Sequence, residues 1–211
     1  DYGRIGRGYS SIRRPDPRIE AAVWDALGDA TSVINVGAGA GSYEPLDREV
    51  VAVEPSASMR AERPADRVPA IDATSESLPF PDDRFDAAMA SVTIHQWPRL
   101  EEGLREMRRV ARGPVAILTF SPVVPEPWWQ PVYVRELFEV EARRMPGLDR
   151  VAAALGGDVE IRTLPIPADC IDGFGQAFFA RPDRTLEPEV RRVESAWSFL
   201  APGVEDRYVA E

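Results

Sequence analysis

The run Ser32-Val-Ile-Asn-Val-Gly-Ala-Gly-Ala-Gly-Ser42 most limits what this chain can become. Its first five residues read as a short strand buried on both faces. The glycines that follow let the backbone take positive φ and let a ligand come closer than a Cβ would allow. A glycine-rich turn at the carboxyl end of a buried strand is where open α/β sheets bind their ligands. The next apolar run, Val50 to Val53, ends in Glu54, a carboxylate able to accept both hydroxyls of a ribose.

The surrounding pattern alternates short apolar strands with helical periodicity, which predicts an α/β fold, doubly wound around a mainly parallel sheet. Asp16-Pro17 reads as an N-cap followed by proline at the first helical position. Ile19, Ala22, Val23, Ala26 and Leu27 then recur at helical spacing until Gly28. Ser56 caps a short helix that Pro64 stops. Strands are expected at Val68 to Ile71, Phe85 to Ser91 and Val115 to Phe120. Between the last two, Leu100, Leu104, Met107 and Val110 form one apolar helical stripe. Past residue 121 the pattern degrades into a proline- and tryptophan-rich loop. Helices are then expected over 132–145, 148–155 and 188–200, with a strand over Val159 to Pro165; 176–180 suits strand or helix, with helix favoured. No convincing final strand follows, so a piece of the fold is expected to be missing.

Two ligands compete for the glycine turn. A dinucleotide fingerprint, G-x-G-x-x-G, needs glycine at position 42, where this chain has Ser42. A pyrophosphate also wants a helix N-terminus aimed at it, and Pro45 and the short interval before Val50 leave room for one or two turns. Both points disfavour a nicotinamide-dependent oxidoreductase and favour an adenosyl-methionine ligand.

Five segments in order strengthen that choice: Asn35-Val-Gly-Ala-Gly-Ala-Gly41, Ala52-Val-Glu-Pro-Ser56, Ile71-Asp-Ala73, Leu78-Pro-Phe80 and Phe85-Asp86. In order and spacing they resemble the motifs of class I S-adenosylmethionine-dependent methyltransferases, nearest the small-molecule branch that includes the ubiquinone-biosynthesis enzymes. Glu106-Met-Arg-Arg-Val-Ala-Arg-Gly113 is similar to that branch's helix entering the fifth strand. The resemblance covers roughly residues 17 to 121. It implies a seven-stranded sheet in one domain over 1–211, with residues 1–16 as a lid, 17–121 as cofactor core and 122–211 as acceptor cover. It also implies S-adenosyl-L-methionine as cofactor and S-adenosyl-L-homocysteine as product. Gly37, Ala38 and Gly39 would line the methionine and ribose part, and Glu54 would hold the ribose. Asp72 would take the adenine amino group, the Ala73 N–H the ring, and the Ser91 carbonyl the cofactor ammonium. Tyr9, Arg13 and Arg14 are candidates for the carboxylate end. The family usually has an acid where this chain has Asn35, which implies weaker cofactor binding.

His95 is the sole histidine. It lies four residues past the fourth strand, where such enzymes present groups to the acceptor. Methyl transfer is an in-line displacement that relies mostly on positioning; a base is needed only when the acceptor must lose a proton, and imidazole suits that task. A histidine that merely packs against Trp97 is the competing reading. Trp97, Trp128 and Trp129 are read as an apolar acceptor wall or as core under a loop.

Composition narrows the partners. A net charge of −10 opposes general nucleic-acid binding. No run approaches the ~20 apolar residues of a membrane span. Cys170 is the only cysteine, so an internal disulfide is impossible and a reducing, cytoplasmic setting is expected. No Cys/His cluster suggests a metal. All 25 basic residues are arginine, a bias pointing to a GC-rich bacterial genome. The function expected is methyl transfer to an O, N or C atom of a small molecule. The alternatives are a non-catalytic cofactor-binding module and, behind it, the oxidoreductase.

Overall fold

The computed structural model describes residues 12–121, 123 and 128–210. Helix α1 (Pro17–Ala26) begins as the sequence predicts. Asp16 accepts from the Arg18 N–H, and Pro17 occupies the position whose N–H would have no partner. Strands β1 (Ser32–Val36), β2 (Glu49–Val53), β3 (Ala70–Ile71), β4 (Ala87–Ser91) and β5 (Val115–Leu118) form one sheet in the order β3-β2-β1-β4-β5. Every pairing is parallel, with Val33 opposite both Val50 and Ala87. The sheet order reverses between β1 and β4, which opens a crevice beyond the carboxyl ends of those strands.

Strand periodicity divides the core into two faces. Val33, Ala87 and Met89 pack with Ile19, Val23 and Leu27 of α1 and with Cys170, Phe174 and Ala177. Ile34, Val36, Ala88 and Ala90 face the other way. There they meet Leu104, Met107 and Val110 of helix α3 (Leu100–Val110), backed by Val151 of α6 (Leu148–Leu155). Helix α2 (Ala57–Ala61) is short and capped by Ser56. After β5 come α4 (Gln130–Tyr133), α5 (Arg135–Arg144), α6, α7 (Pro188–Val193) and α8 (Val204–Ala210), interspersed with 3-10 turns. Val134, Leu137, Val140, Ala196, Trp197 and Tyr208 form a separate apolar cluster there.

The main departure from expectation is the strand count, which is five rather than seven among the described residues. The strand expected over Val159 to Pro165 is irregular chain: Val159 and Ile161 stand exposed, and Pro165 and Pro167 stop any ladder from continuing. The helix expected over 188–200 is α7 followed by a 3-10 turn at Ser195–Phe199, and the one at 176–180 is a 3-10 turn at Gly175–Phe178. Between β1 and β2 the chain forms turns and no helix at all. Among the described residues, no helix is long and apolar enough to cross a membrane.

Candidate active site

At the crevice a cavity of about 290 Å³ opens between the glycine turn, the end of β2 and the end of β4. The turn is pinned to the sheet, since the N–H groups of Gly37 and Ala38 both donate to the Val53 carbonyl at 2.9 Å. Gly37 cannot be another residue: its φ is +69°, and a Cβ would lie 2.4 Å from Thr93 Oγ1. Glu54 is buried and oriented from both sides. Gly39 N–H donates to Oε2 at 2.9 Å and Ser56 N–H to Oε1 at 2.8 Å. Each oxygen keeps lone pairs facing the cavity it lines. Asn35 Oδ1 and Ser91 Oγ are buried and find no partner among the described residues, and both residues belong to the same wall. Unpaired buried polar atoms in a cradle lined by glycine suit a polar ligand with donors of its own.

Of the residues read from the sequence, Arg13, Asn35, Gly37, Ala38, Gly39, Glu54 and Ser91 meet at this cavity. Asp72 and Ala73 do not. Asp72 is largely exposed and pairs at 2.9 Å with Arg60, whose other arm donates to the Glu54 carbonyl; Ala73 packs into the core. Strand β3 is only two residues long, so the chain bends early, and Thr74, Ser75 and Glu76 form the wall instead. Tyr9 lies outside the described residues. Trp97 lines the cavity, whereas Trp128 stacks edge-on against Phe138 and Trp129 donates to the Phe179 carbonyl, away from it. His95 faces a second, smaller cavity that shares Arg13, Val92 and Gln96 with the first. Burial, helped by the charges of Arg144 and Arg13, pulls its pKa down to about 4, so the ring is neutral near pH 7.

Two buried networks support the site, and sequence reading found neither. Under the turn, Glu44 accepts both its oxygens' bonds from Arg63 at 2.8–2.9 Å and a third from Asn35 Nδ2 at 2.9 Å. Arg63 also donates to the Gly39 carbonyl. An amide at position 35 therefore fits because the neighbouring position already holds the acid. Beside it, Asp172 accepts from Arg13 Nε at 2.8 Å and from the Tyr43 hydroxyl at 2.5 Å. Burial, and then the Asp172 charge, drive the Tyr43 phenol well above its ordinary range. Asp172 is far from the motif in sequence and carries no local signal. Glu44 follows the glycines by three residues and could have been noticed as an acid with nowhere else to go.

The fold and the crevice together make an α/β domain whose cavity suits a nucleoside and lacks the helix a pyrophosphate requires. Residues 34–116 match the methyltransferase domain family. The uncharacterized methyltransferase YcgJ of Bacillus subtilis is 30% identical over 105 residues, 44% of this chain and 42% of that protein. The ubiquinone/menaquinone biosynthesis C-methyltransferase UbiE of Xanthomonas oryzae is 32% identical over 119 residues, 53% of this chain and 45% of that one. Each match thus spans less than half of the curated relative. A crystal structure from Anabaena variabilis, described as a methyltransferase from an antibiotic biosynthesis pathway, superposes with a TM-score of 0.86. It is 28% identical, over 94% of this chain and 85% of its own. The matched region resembles the class I S-adenosylmethionine-dependent methyltransferases, whose cofactor is S-adenosylmethionine, and is similar to the UbiE type.

Proposed function

We propose that this protein transfers the methyl group of S-adenosylmethionine to an O, N or C atom of a small molecule. The observation that carries the reading is the Glu54 carboxylate, fixed by two backbone N–H groups beside a turn that only glycine can form. In this reading Glu54 accepts the ribose hydroxyls, and Gly37, Ala38 and Gly39 give the ligand room. Asn35 Oδ1 and the Ser91 carbonyl accept from the ammonium, while Arg13, held by Asp172, meets the carboxylate. The adenine lies toward Thr74 to Glu76, with the Asp72 carboxylate left to Arg60. When bound, the cofactor supplies an electrophilic methyl carbon. The chain's part is to exclude water and to align an acceptor, which is where most of the rate enhancement of such a displacement arises.

Calorimetry tests this directly. S-adenosylmethionine and S-adenosylhomocysteine should bind and NAD should not. Glu54→Ala removes charge-assisted bonds of ~1.5–3 kcal/mol each, so affinity should fall about tenfold or more, with a lower melting temperature as well because the Gly39 and Ser56 N–H groups lose their acceptor. NAD binding without either adenosyl ligand would overturn the reading.

A further inference from the structure

The second cavity carries polar groups of its own. It measures about 50 Å³, room for a few heavy atoms given the roughly 10–15 Å³ that one water needs on this measure. It adjoins the first across Arg13, Val92 and Gln96. Phe120, Phe174, Met145 and Val193 give it apolar walls. Val92, which ends the wall nearest β4, holds a φ of +52°, an unusual strain for a β-branched residue and one that collects at functional sites.

Its polar groups come from three separate parts of the chain. His95 stands on the 3-10 turn after β4, Glu141 on α5, and Glu194 just after α7. Gln96 Nε2 lies 3.3 Å from His95 Nε2; in the tautomer whose Nε2 accepts this bond the ring proton is on Nδ1, an atom that is buried and has no partner among the described residues. Glu194 Oε2 accepts from Trp197 Nε1 at 2.9 Å. Its Oε1 lies so close over Gly175 that a Cβ there would sit 2.2 Å away. Glu141 pairs with Arg144 at 3.3 Å, and Arg13 pairs with Asp172. After these pairings the cavity keeps a carboxylate acceptor at Glu194 and a ring nitrogen at His95, beside the Gln176 amide.

We propose that this cavity receives the hydroxyl of an aromatic acceptor, with Glu194 taking its proton and the His95 Nδ1–H holding its oxygen. A hydroxyl both donates and accepts, so it satisfies the two groups at once. An ammonium would leave the His95 N–H facing another donor and would sit beside the guanidiniums of Arg13 and Arg144. A carboxylate would face Glu194 and Glu141. The inference rests on the methyl-transfer reading, which supplies the methyl donor. The O–H proton passes to Glu194 and an oxygen lone pair forms the new O–CH₃ bond. The methyl–sulfur bond breaks with its electron pair left on sulfur. Glu194 returns its proton to water once the ether leaves.

Proton affinity agrees with this division of labour. Burial, then the nearby Glu141 charge, push the Glu194 carboxyl up to about 7, opposed by the Trp197 bond and Arg13. Glu141 is itself raised by burial against the pull of Arg144. A phenol, near 10, lies within reach of such a base; an alkyl alcohol does not.

The test uses the full chain with catechol and phenol as probes, and aniline and benzylamine as controls. Catechol should bind the adenosylhomocysteine-loaded protein by calorimetry, about tenfold more weakly in His95→Phe. Wild-type turnover of catechol should rise through about pH 7. Glu194→Gln, which keeps an acceptor for Trp197, should lose on the order of 10²–10⁴ in turnover with catechol binding little changed. Methylation of the amines alone, a flat pH profile, unaltered turnover in Glu194→Gln, or no catechol binding while the adenosyl ligands still bind would each overturn the proposal. Failure of the adenosyl ligands themselves to bind would instead remove the reading beneath it.

Discussion

Replacing Asn35 by the acid usual in this class should harm the protein. Asn35 Nδ2 donates to Glu44 Oε1 at 2.9 Å, and both residues are 1% exposed. Asn35→Asp exchanges that donor for a second carboxylate at the same distance. The lost bond to a charged acceptor is worth ~1.5–3 kcal/mol, and the two buried charges then repel, so one of them must take up a proton. Arg63, already shared by both oxygens of Glu44 and by the Gly39 carbonyl, has little left to offer. For a chain of this length ~1 kcal/mol corresponds to roughly 2–4 °C in melting temperature. The melting temperature at pH 8 should therefore fall by about 5–10 °C, and by less at pH 5, where the added carboxyl is protonated. Because Arg63 also holds the Gly39 carbonyl, adenosylhomocysteine affinity should drop as well. The double variant Asn35→Asp with Glu44→Gln should recover part of the loss, giving a coupling of opposite sign to the single changes. Thermal melts of the four proteins at both pH values decide the matter. A single variant that melts as high as wild type and binds the ligand more tightly would refute the reasoning.

Gly37→Ala should lower cofactor affinity and melting temperature together, since the new methyl would press on Thr93 and the φ of +69° opposes any side chain; calorimetry and a thermal melt read both, and an unaffected protein would contradict the packing described. His95 makes stability depend on acidity in a defined direction. Its folded pKa of about 4 lies below the unfolded value near 6.5, so the unfolded chain binds the proton first and stability is lost as pH falls from about 6.5 toward 4. At ~1.4 kcal/mol per tenfold change in proton affinity, the loss is on the order of 3 kcal/mol at most. His95→Gln should flatten that part of a pH–stability curve, and a curve that keeps its slope would place the titrating group elsewhere.

The half of the protein around the glycine turn was legible because its signals are local. Asp16-Pro17, the β1 glycine turn, Glu54 and the apolar stripe of α3 each rest on residues close together in sequence, and each stands where the pattern placed it. Asp72 misled because a motif carries order but not strand length: β3 stops at Ile71, and Arg60 on a separate helix claims the carboxylate. Asn35 was read alone, as a missing acid, when its meaning lies in Glu44 beneath the turn. The second cavity was out of reach, since Glu141 and Glu194 lie beyond the region where periodicity holds. What brings them to His95 is the packing of α5 and α7 rather than any spacing. The strand expected at Val159 to Pro165 failed for the opposite reason: β-branched residues there satisfy local propensity, but no neighbouring strand offers them a ladder.

The contact of Arg13 with Asp172 has a kinetic meaning. Arg13 lies just before α1 and forms part of the wall of both cavities, and its ion pair is almost wholly removed from water. Ile12 beside it presses so closely on Gly173 that a Cβ there would meet its backbone oxygen at 2.7 Å. Breaking a buried ion pair leaves charges that water must reach before the cost is relieved. We propose that this strip detaches slowly and that its detachment uncovers both cavities in the same movement. On this proposal, entry of the acceptor and escape of the spent nucleoside share one barrier. Release of adenosylhomocysteine should become faster in Asp172→Asn, and the rate of acceptor entry should rise in step with it.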